Sequence, residues 1–222
     1  MADLLPLFPL PNVVLFPNVF LPLHIFEPRY REMVADALAS DRLIGMVLLR
    51  PGWERDCEGP PPVYPIGCSG LITHVERLAD GRYNIVLRGL ERFRILREDH
   101  RRSYRCATVE ALAERGLLAD DCSALKLQRS KLEGLLAPGG ERDPRMAGAS
   151  LSESRGTEPR IPSGMADEDL VNALAQYLDL EPLEKQALLE KQSLRARAES
   201  LVELLEMKVM MARTPAMSRL AH

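Results

Sequence analysis

The sequence predicts an α+β fold in which a β-rich first half is followed by a small helical bundle. Three observations lead to this prediction. Apolar residues in the first 110 positions form short runs that alternate with polar residues or stay continuous over strand length. Glycines interrupt these runs, which is typical of the corners of a small barrel or of a folded-over sheet. In the second half, leucines recur at helical spacing.

Prolines are spaced throughout the N-terminal apolar segment, which runs from Leu4 to Val34. Because proline supplies no backbone N–H, it is excluded from central ladders, so each apolar piece is expected to be a short strand or a fixed extended turn. The segment ends in a predicted helix over residues 28–40, since Pro28 suits the first helical position and Tyr30 lies on the same helical face as Val34.

Further strands are predicted between residues 43 and 110. The continuous apolar run at 43–49 indicates a strand that is buried on both faces. Asp80-Gly81 is typical of a hairpin turn, and Gly89 is expected to break the strand that follows this turn. The remaining strand-like runs are 63–75, 83–88, 93–95 and 106–110.

The second half of the chain has helical patterns on either side of a polar segment. Residues 138–164 contain almost no large apolar groups, so we expect a mobile linker or insertion that cannot offset its chain entropy by burial. Helices are predicted at 121–137, at 167–178, from Pro182 onward, and over a longer stretch at 194–209. The predicted domains are therefore a β domain at 1–115 and a helical bundle at 116–222.

The composition argues against several classes of function. With 29 basic and 32 acidic residues, the net charge of −3 argues against a protein that wraps nucleic acid with its whole surface. No apolar run reaches the roughly 18–20 residues that span a bilayer, so no membrane segment is expected. The four cysteines and four histidines have no metal-ligand spacing, so we expect no metal, cofactor or disulfide framework, and a cytoplasmic protein.

No pair of residues has the spacing of a catalytic nucleophile and its base. The sequence Gly67-Cys68-Ser69-Gly70 departs from the G-x-S-x-G elbow, and on a strand His74 would lie roughly 20 Å from Cys68. We therefore expect Cys68 to have a structural role. His24 and Glu27 are expected to fix the turn into the first helix.

Several segments, taken in their order along the chain, resemble one known family. They are LPLFPLPNVVLFP from Leu5, LPLHIFEPRYREMV from Leu21, IGMVLL from Ile44, PPVYPIGCSGLI from Pro61, DGRYNIVLRGLERFRI from Asp80 and LEKQALLE from Leu183. Together they are similar to the N-terminal, substrate-binding domain of the Lon protease in its short stand-alone form. The resemblance implies a PUA-like, β-rich pseudo-barrel followed by a helical bundle, and a role in protein–protein recognition.

The resemblance does not extend to the catalytic parts of that protease. No G-x-x-x-x-G-K-[ST] motif is present to hold ATP phosphates. The chain ends at His222, where the ATPase part would begin, and the family's catalytic Ser–Lys pair lies in the peptidase domain beyond it. We therefore expect a non-enzymatic module that recognises unfolded or client proteins, with an ATP-dependent protease as a candidate partner.

A proline-fixed apolar surface is the predicted protein-binding site. Phe16 and Phe20 belong to one proline-containing loop, and the loop at 50–62 contributes Trp53, the single tryptophan of the chain. Prolines reduce the conformational entropy that such loops lose on binding. We expect Phe16, Phe20 and Trp53 to be exposed and close together, so that they form a groove.

An arginine-rich segment gives the alternative prediction, an RNA-binding PUA-like module. Residues 82–105 hold eight arginines against three acidic residues, a local net charge of +5. Arg92 and Arg94 alternate with Phe93 and Ile95, which also fits a strand with one solvated face. Because few aromatic residues lie among these arginines, nucleic-acid binding ranks second.

Overall fold

The computed structural model describes residues 4–52, 60–114, 119–136 and 164–213, and their elements confirm the α+β class. The strands are β1 (Leu5–Leu10), β2 (Phe20–Ile25), β3 (Leu43–Leu48), β4 (Ile66–Arg77), β5 (Tyr83–Asp99) and β6 (Arg105–Leu112). The helices are α1 (Pro28–Leu38), α2 (Ala119–Leu136), α3 (Asp167–Tyr177), α4 (Pro182–Leu189) and α5 (Leu194–Arg213). Among the described helices, none is both long and apolar enough to cross a bilayer.

The β-sheet closes on itself, because the long strand β5 pairs with three neighbours. The strand order is β2-β5-β4-β3-β1-β6, and an additional pairing of β5 with β6 closes the five strands from β5 to β6 into a barrel, with β2 added beside β5. β1 and β3 are parallel, and the other pairings are antiparallel. β2 pairs only with the first half of β5, so its other edge has no strand partner among the described residues.

β3 is buried on both faces, as its continuous apolar run predicts. Ile44, Met46 and Leu48 belong to the larger core, which β3 shares with helices, whereas Val47 belongs to a smaller cluster. The smaller cluster fills the barrel and consists of Leu5, Leu7, Val47, Leu49, Val63, Phe93 and Ala107. The side-chain period of two along a strand therefore divides one sequence run between two cores.

The prediction that Gly89 breaks the strand is wrong, because β5 continues through it to Asp99. Gly89 instead allows the loop before β2 to approach closely. Its N–H donates to the carbonyl of Val19 and its carbonyl accepts from the N–H of Asn18, both at 2.9 Å. A Cβ at position 89 would lie 2.0 Å from the carbonyl oxygen of Phe16, so only glycine fits this backbone contact.

Helices α2 to α5 follow the strands along the chain, but the two halves share one core. The larger core includes Ile85 of β5, Leu174 of α3 and Leu201 of α5. The division into domains at residue 115 therefore stays a prediction. The predicted mobile insertion at 138–164 lies outside the described residues, apart from Gly164.

A buried cluster of charges, the arginine junction, connects the two halves. It consists of Arg92 on β5, Arg197 on α5 and Glu114, which follows β6. The residues Arg92 and Arg197 are 3% and 0% exposed. The Oε1 atom of Glu114 lies 3.2 Å from Nε of Arg92 and 2.5 Å from Nη2 of Arg197. The expectation that Arg92 lies on a solvated strand face is therefore wrong, because helices cover that position.

Polar groups of the helices complete the arginine junction. Nη1 of Arg92 donates to the carbonyl of Leu189 at 3.0 Å and also to that of Lys191, at the end of α4. Nη1 of Arg197 donates to Oδ1 of Asn172 at 2.9 Å. Burial, together with the nearby charge of Arg197, lowers the pKa of Arg92, while Glu114 opposes this shift. Since two guanidinium groups share one carboxylate, Glu114 holds the cluster together.

We expect the Glu114→Gln substitution to lower the free energy of unfolding by about 3 kcal/mol, because it leaves two buried cations without a counter-charge. This value is at the lower end for breaking a buried pair, since the Glu114 side chain is 22% exposed. The matched control is Glu110→Gln, which removes an exposed ion pair with Arg94 at 3.9 Å and should cost less than about 0.5 kcal/mol. Urea denaturation followed by circular dichroism measures both, and equal losses would contradict the central role of Glu114.

Two glycine-to-alanine substitutions should change stability in opposite directions. Gly89→Ala should lower the free energy of unfolding by about 3 kcal/mol, because the new methyl group clashes with rigid backbone. Gly134→Ala lies in α2 with nothing within 4 Å of the added Cβ. It should raise the free energy of unfolding by about 0.5–1 kcal/mol, since alanine favours the helix. Thermal unfolding of both variants tests the pair, and a stable Gly89→Ala protein would rule out the close contact.

Candidate binding surface

The three residues predicted to form an apolar groove have different environments. Phe16 is 0% exposed, so its predicted role in a binding groove is wrong. Its backbone lies between the two halves, where its N–H donates to Oε1 of Gln176 at 3.2 Å and its carbonyl lies against Gly89. Phe20 is 50% exposed, as predicted. Trp53 lies outside the described residues.

Phe20 belongs to a solvent-facing part of the sheet, which we call the outer sheet face. Along β2 the side chains alternate, so that Leu21, Leu23 and Ile25 face the core while the residues between them face solvent. The register of β2 on β5 places Phe20 opposite Arg88, Pro22 opposite Val86 and His24 opposite Asn84. The outer sheet face consists of Phe20, Pro22, His24, Asn84, Val86 and Arg88.

Aromatic side chains flank both ends of the outer sheet face. Phe26 is 60% exposed, and its ring lies 6.2 Å from that of His24. At the other end, Tyr177 of α3 is 67% exposed, and its hydroxyl donates to the carbonyl of Phe20 at 2.9 Å. Phe26 continues the alternation of exposed and buried side chains along β2, so its exposure could have been predicted from the two-residue period of the strand. Tyr177 is distant in sequence and gives no such signal.

The His24 side chain belongs to a polar chain across the strands. Its Nδ1 lies 2.7 Å from Oδ1 of Asn84, whose Nδ2 donates to Oε2 of Glu76 at 2.8 Å. Nη1 of Arg82 lies 3.1 Å from Nε2 of His24. The expectation that His24 and Glu27 together fix the helix turn is therefore wrong for His24. Glu27 precedes α1 and pairs with Arg29 at 2.9 Å.

The outer sheet face contains a shallow depression. Its volume is about 340 Å³, and it is lined by Pro22, Leu23, His24, His74, Asn84, Ile85 and Val86. Within the described residues, no group of histidine, cysteine, aspartate or glutamate side chains could hold a metal ion. The depression therefore offers apolar contact with a few hydrogen-bonding groups at its edge.

A larger cleft of about 490 Å³ lies at one end of the barrel, between Tyr30 and Tyr104. Its arginines already have carboxylate partners. Arg102 pairs with Asp36, and Arg105 pairs with Glu98 at 2.8 Å. Because these positive charges are neutralised within the chain, the described residues that line the cleft offer no free guanidinium group of the kind that binds a phosphate strongly.

The arginines proposed for RNA binding are not both available. Arg92 is buried in the arginine junction, so its assignment to a nucleic-acid surface is wrong. Arg94 is exposed and lies 3.9 Å from Glu110. RNA binding therefore stays a prediction, and of the two arginines named for it only Arg94 is exposed.

Cys68, the one thiol beside a candidate nucleophile motif, is completely buried. Burial raises the pKa of this thiol to about 12. The thiol therefore stays protonated at neutral pH, whereas a nucleophilic cysteine needs a thiolate. Its environment agrees with the expected structural role.

The sequence is similar to substrate-binding domains of one protease family. A family profile described as the ATP-dependent protease La (LON) substrate-binding domain matches residues 4–207. Similar relatives include the Lon protease of Anaeromyxobacter dehalogenans, 29% identical over 205 residues, and Lon protease 2 of Myxococcus xanthus, 30% identical over 207 residues. These alignments cover 92% and 93% of this chain but 23% and 24% of the two proteases. The chain thus spans about a quarter of their length.

Solved structures with the same fold cover nearly the whole chain. One is a Lon N-terminal domain protein from Xanthomonas campestris, with a TM-score of 0.55 and 20% identity over 96% of this chain and 99% of that one. Another is the N-terminal domain of the Mycobacterium avium complex Lon protease, with a TM-score of 0.59 and 17% identity over 92% and 98%. At these identities the likeness concerns the fold alone.

Proposed function

Because this chain belongs to the family of ATP-dependent protease La (LON) substrate-binding domains, we propose that it is a non-catalytic module that recognises protein substrates. We further propose that it binds unfolded segments of client proteins through the outer sheet face and its flanking aromatic residues. The observation that carries this proposal is the exposure of Phe20, Phe26 and Tyr177 around one face of a sheet.

Exposed aromatic rings of this kind suit the recognition of unfolded chains. Folded proteins bury their large apolar side chains, whereas unfolded segments present them to any apolar surface. Complete burial of one phenylalanine side chain contributes about 1.5–3 kcal/mol. Phe20 is half exposed and Tyr177 two-thirds exposed, so each has a substantial area left to bury against a partner.

Backbone constraints on β2 favour recognition by side chains rather than by strand addition. The free edge of β2 contains Pro22, which has no N–H to offer to an added strand. The carbonyl of Phe20 already accepts a hydrogen bond from Tyr177. Proline also restricts the unbound strand, so less conformational entropy is lost when its side chains bind a partner.

An ATP-dependent protease is the proposed destination of the bound clients. The proteases named above each contain a region similar to this chain. We propose that this chain acts in the cytoplasm and presents unfolded proteins to such a protease. The free thiols of Cys68, Cys106 and Cys122 support a reducing compartment.

We expect Phe20→Ser to weaken binding of a permanently unfolded protein by roughly tenfold, because it removes an exposed aromatic contact worth about 1–2 kcal/mol. Fluorescence anisotropy with labelled, reduced and carboxymethylated α-lactalbumin measures the affinity. The matched control is Leu96→Ser. Leu96 is 59% exposed on β5, eight residues beyond the position opposite Phe20 and about 26 Å along an extended strand.

Control measurements separate binding from stability. Both variants should melt within a few degrees of the wild type, since neither side chain is in the core. If Phe20→Ser and Leu96→Ser weaken binding equally, contact is non-specific and the outer sheet face is not the binding surface. If the purified chain hydrolyses ATP or peptides after removal of contaminating proteases, the non-catalytic assignment fails.

A further inference from the structure

The last two helices leave an apolar groove open between them, on the other half of the molecule from the outer sheet face. This α4–α5 groove has a volume of about 350 Å³. It is lined by Ala187, Leu188 and Lys191 on the α4 side and by Ser200, Glu203, Leu204 and Met207 on the α5 side. The proposed function does not use any of these residues.

Helix α5 has two stripes of mainly apolar residues, of which one is buried and the other is covered only in part, since Leu204 packs against the larger core. The covered stripe contains Leu194, Ala198, Leu201, Val202 and Leu205, all buried in the larger core. The second stripe contains Ser200, Leu204, Met207 and Met211, at spacings of four, three and four residues. These spacings keep the second stripe on one side of a helix with 3.6 residues per turn. They are also the spacings by which one helix packs along another.

Large apolar side chains on the second stripe and on α4 remain exposed. Met207 is 45% exposed and Met211 is 68% exposed. Leu183, one turn before Ala187 on α4, is 49% exposed. An ion pair of 3.0 Å between Glu184 and Lys208 holds the start of α4 against the last part of α5. Leu183 and Met211 extend the apolar surface beyond the residues that line the groove itself.

The charges beside the groove are arranged asymmetrically. Glu203 and Glu206 lie on the outer side of the second stripe, are exposed, and have no hydrogen-bond or ion-pair partner among the described residues. On the α4 side, Lys191 is the charged residue that lines the groove. Lys208 of α5 is neutralised by its ion pair with Glu184 of α4. A binding partner would therefore meet uncompensated negative charge along the α5 side only.

We propose that the α4–α5 groove binds an amphipathic helix of a partner protein, with apolar residues at helical spacing and lysine or arginine along one flank. The apolar residues would cover Leu204, Met207 and Met211, and the basic flank would face Glu203 and Glu206. Methionine side chains adapt to differently shaped partners. The small residues Ala187 and Ser200 allow a helix to approach closely. Charge complementarity thus selects a basic helix over other occupants.

A pair of designed peptides tests this proposal on the full chain. Each is a fluorescein-labelled helix of about 18 residues, long enough to be helical alone, with leucines at positions i, i+3, i+7 and i+10. One carries lysines along a single flank, and the other carries glutamates there. The lysine peptide should bind at least tenfold more tightly than the glutamate peptide. The double substitution Glu203→Lys/Glu206→Lys should reverse this preference.

A substitution in the apolar stripe separates charge attraction from docking in the groove. Met207→Asp should weaken the lysine peptide at least tenfold, although it adds negative charge, whereas Leu96→Ser, a change of an exposed leucine on β5, should leave its affinity unchanged. Equal binding of the two peptides, no binding of either, or full binding by Met207→Asp would each overturn the proposal. Sedimentation equilibrium tests the other possible occupant of the groove, a second copy of this chain. If the chain self-associates and Met207→Asp abolishes this without any peptide binding, the groove pairs copies of the chain instead.

Discussion

The carboxylate of Glu114 lies between two buried guanidinium groups, and the position of the helices on the barrel depends on this contact. Arg92 comes from the barrel and Arg197 from the last helix, and both side chains are almost completely buried. Taking such cations out of water is costly and is compensated only by good geometry with several acceptors. The carbonyls at the end of α4 and the amide of Asn172 provide these acceptors. Arginine suits this position because its donors form a planar fork, which lysine lacks.

Further contacts, made by Gly89 on the same strand as Arg92 and by Gln176 on the same helix as Asn172, complete the union of the two halves. The loop before β2 contacts Gly89 through its backbone and Gln176 through the N–H of Phe16. The next residue of α3, Tyr177, reaches the carbonyl of Phe20. As a result, the outer sheet face is made of strands but flanked by a helical residue. A displacement of the helices would therefore change the candidate binding surface as well as the core.

The two exposed apolar surfaces differ in the side chains that they present. The outer sheet face has aromatic rings on a proline-restricted strand, which lose little entropy when they bind. The α4–α5 groove has methionines beside unpaired carboxylates, which favours adaptable contact with a partner of opposite charge. One surface therefore suits varied unfolded segments, and the other suits a defined helix.

The sequence by itself determined the local features of this protein. Periods of two and of about 3.6 residues located most strands and helices, and the ordered motifs were sufficient to identify the family. The burial of β3 on both faces follows from its unbroken apolar run. The exposure predicted from large apolar groups in a proline-rich segment was correct for Phe20 but wrong for Phe16. These features depend on neighbouring residues, which a sequence contains directly.

The tertiary structure alone decided which residues meet across the fold. Arg92 alternates with apolar residues like a solvated side chain, yet α4 and α5 cover it. Phe16 lies in the loop just before Phe20, but its side chain is buried in the larger core and its backbone contacts Gly89 and Gln176. Tyr177 lies 157 residues from Phe20 along the chain, yet its hydroxyl group reaches the candidate binding surface. Whether such a residue is buried, and which residues it contacts, depends on how distant elements pack together. A local sequence period or an intrinsic propensity does not contain that information.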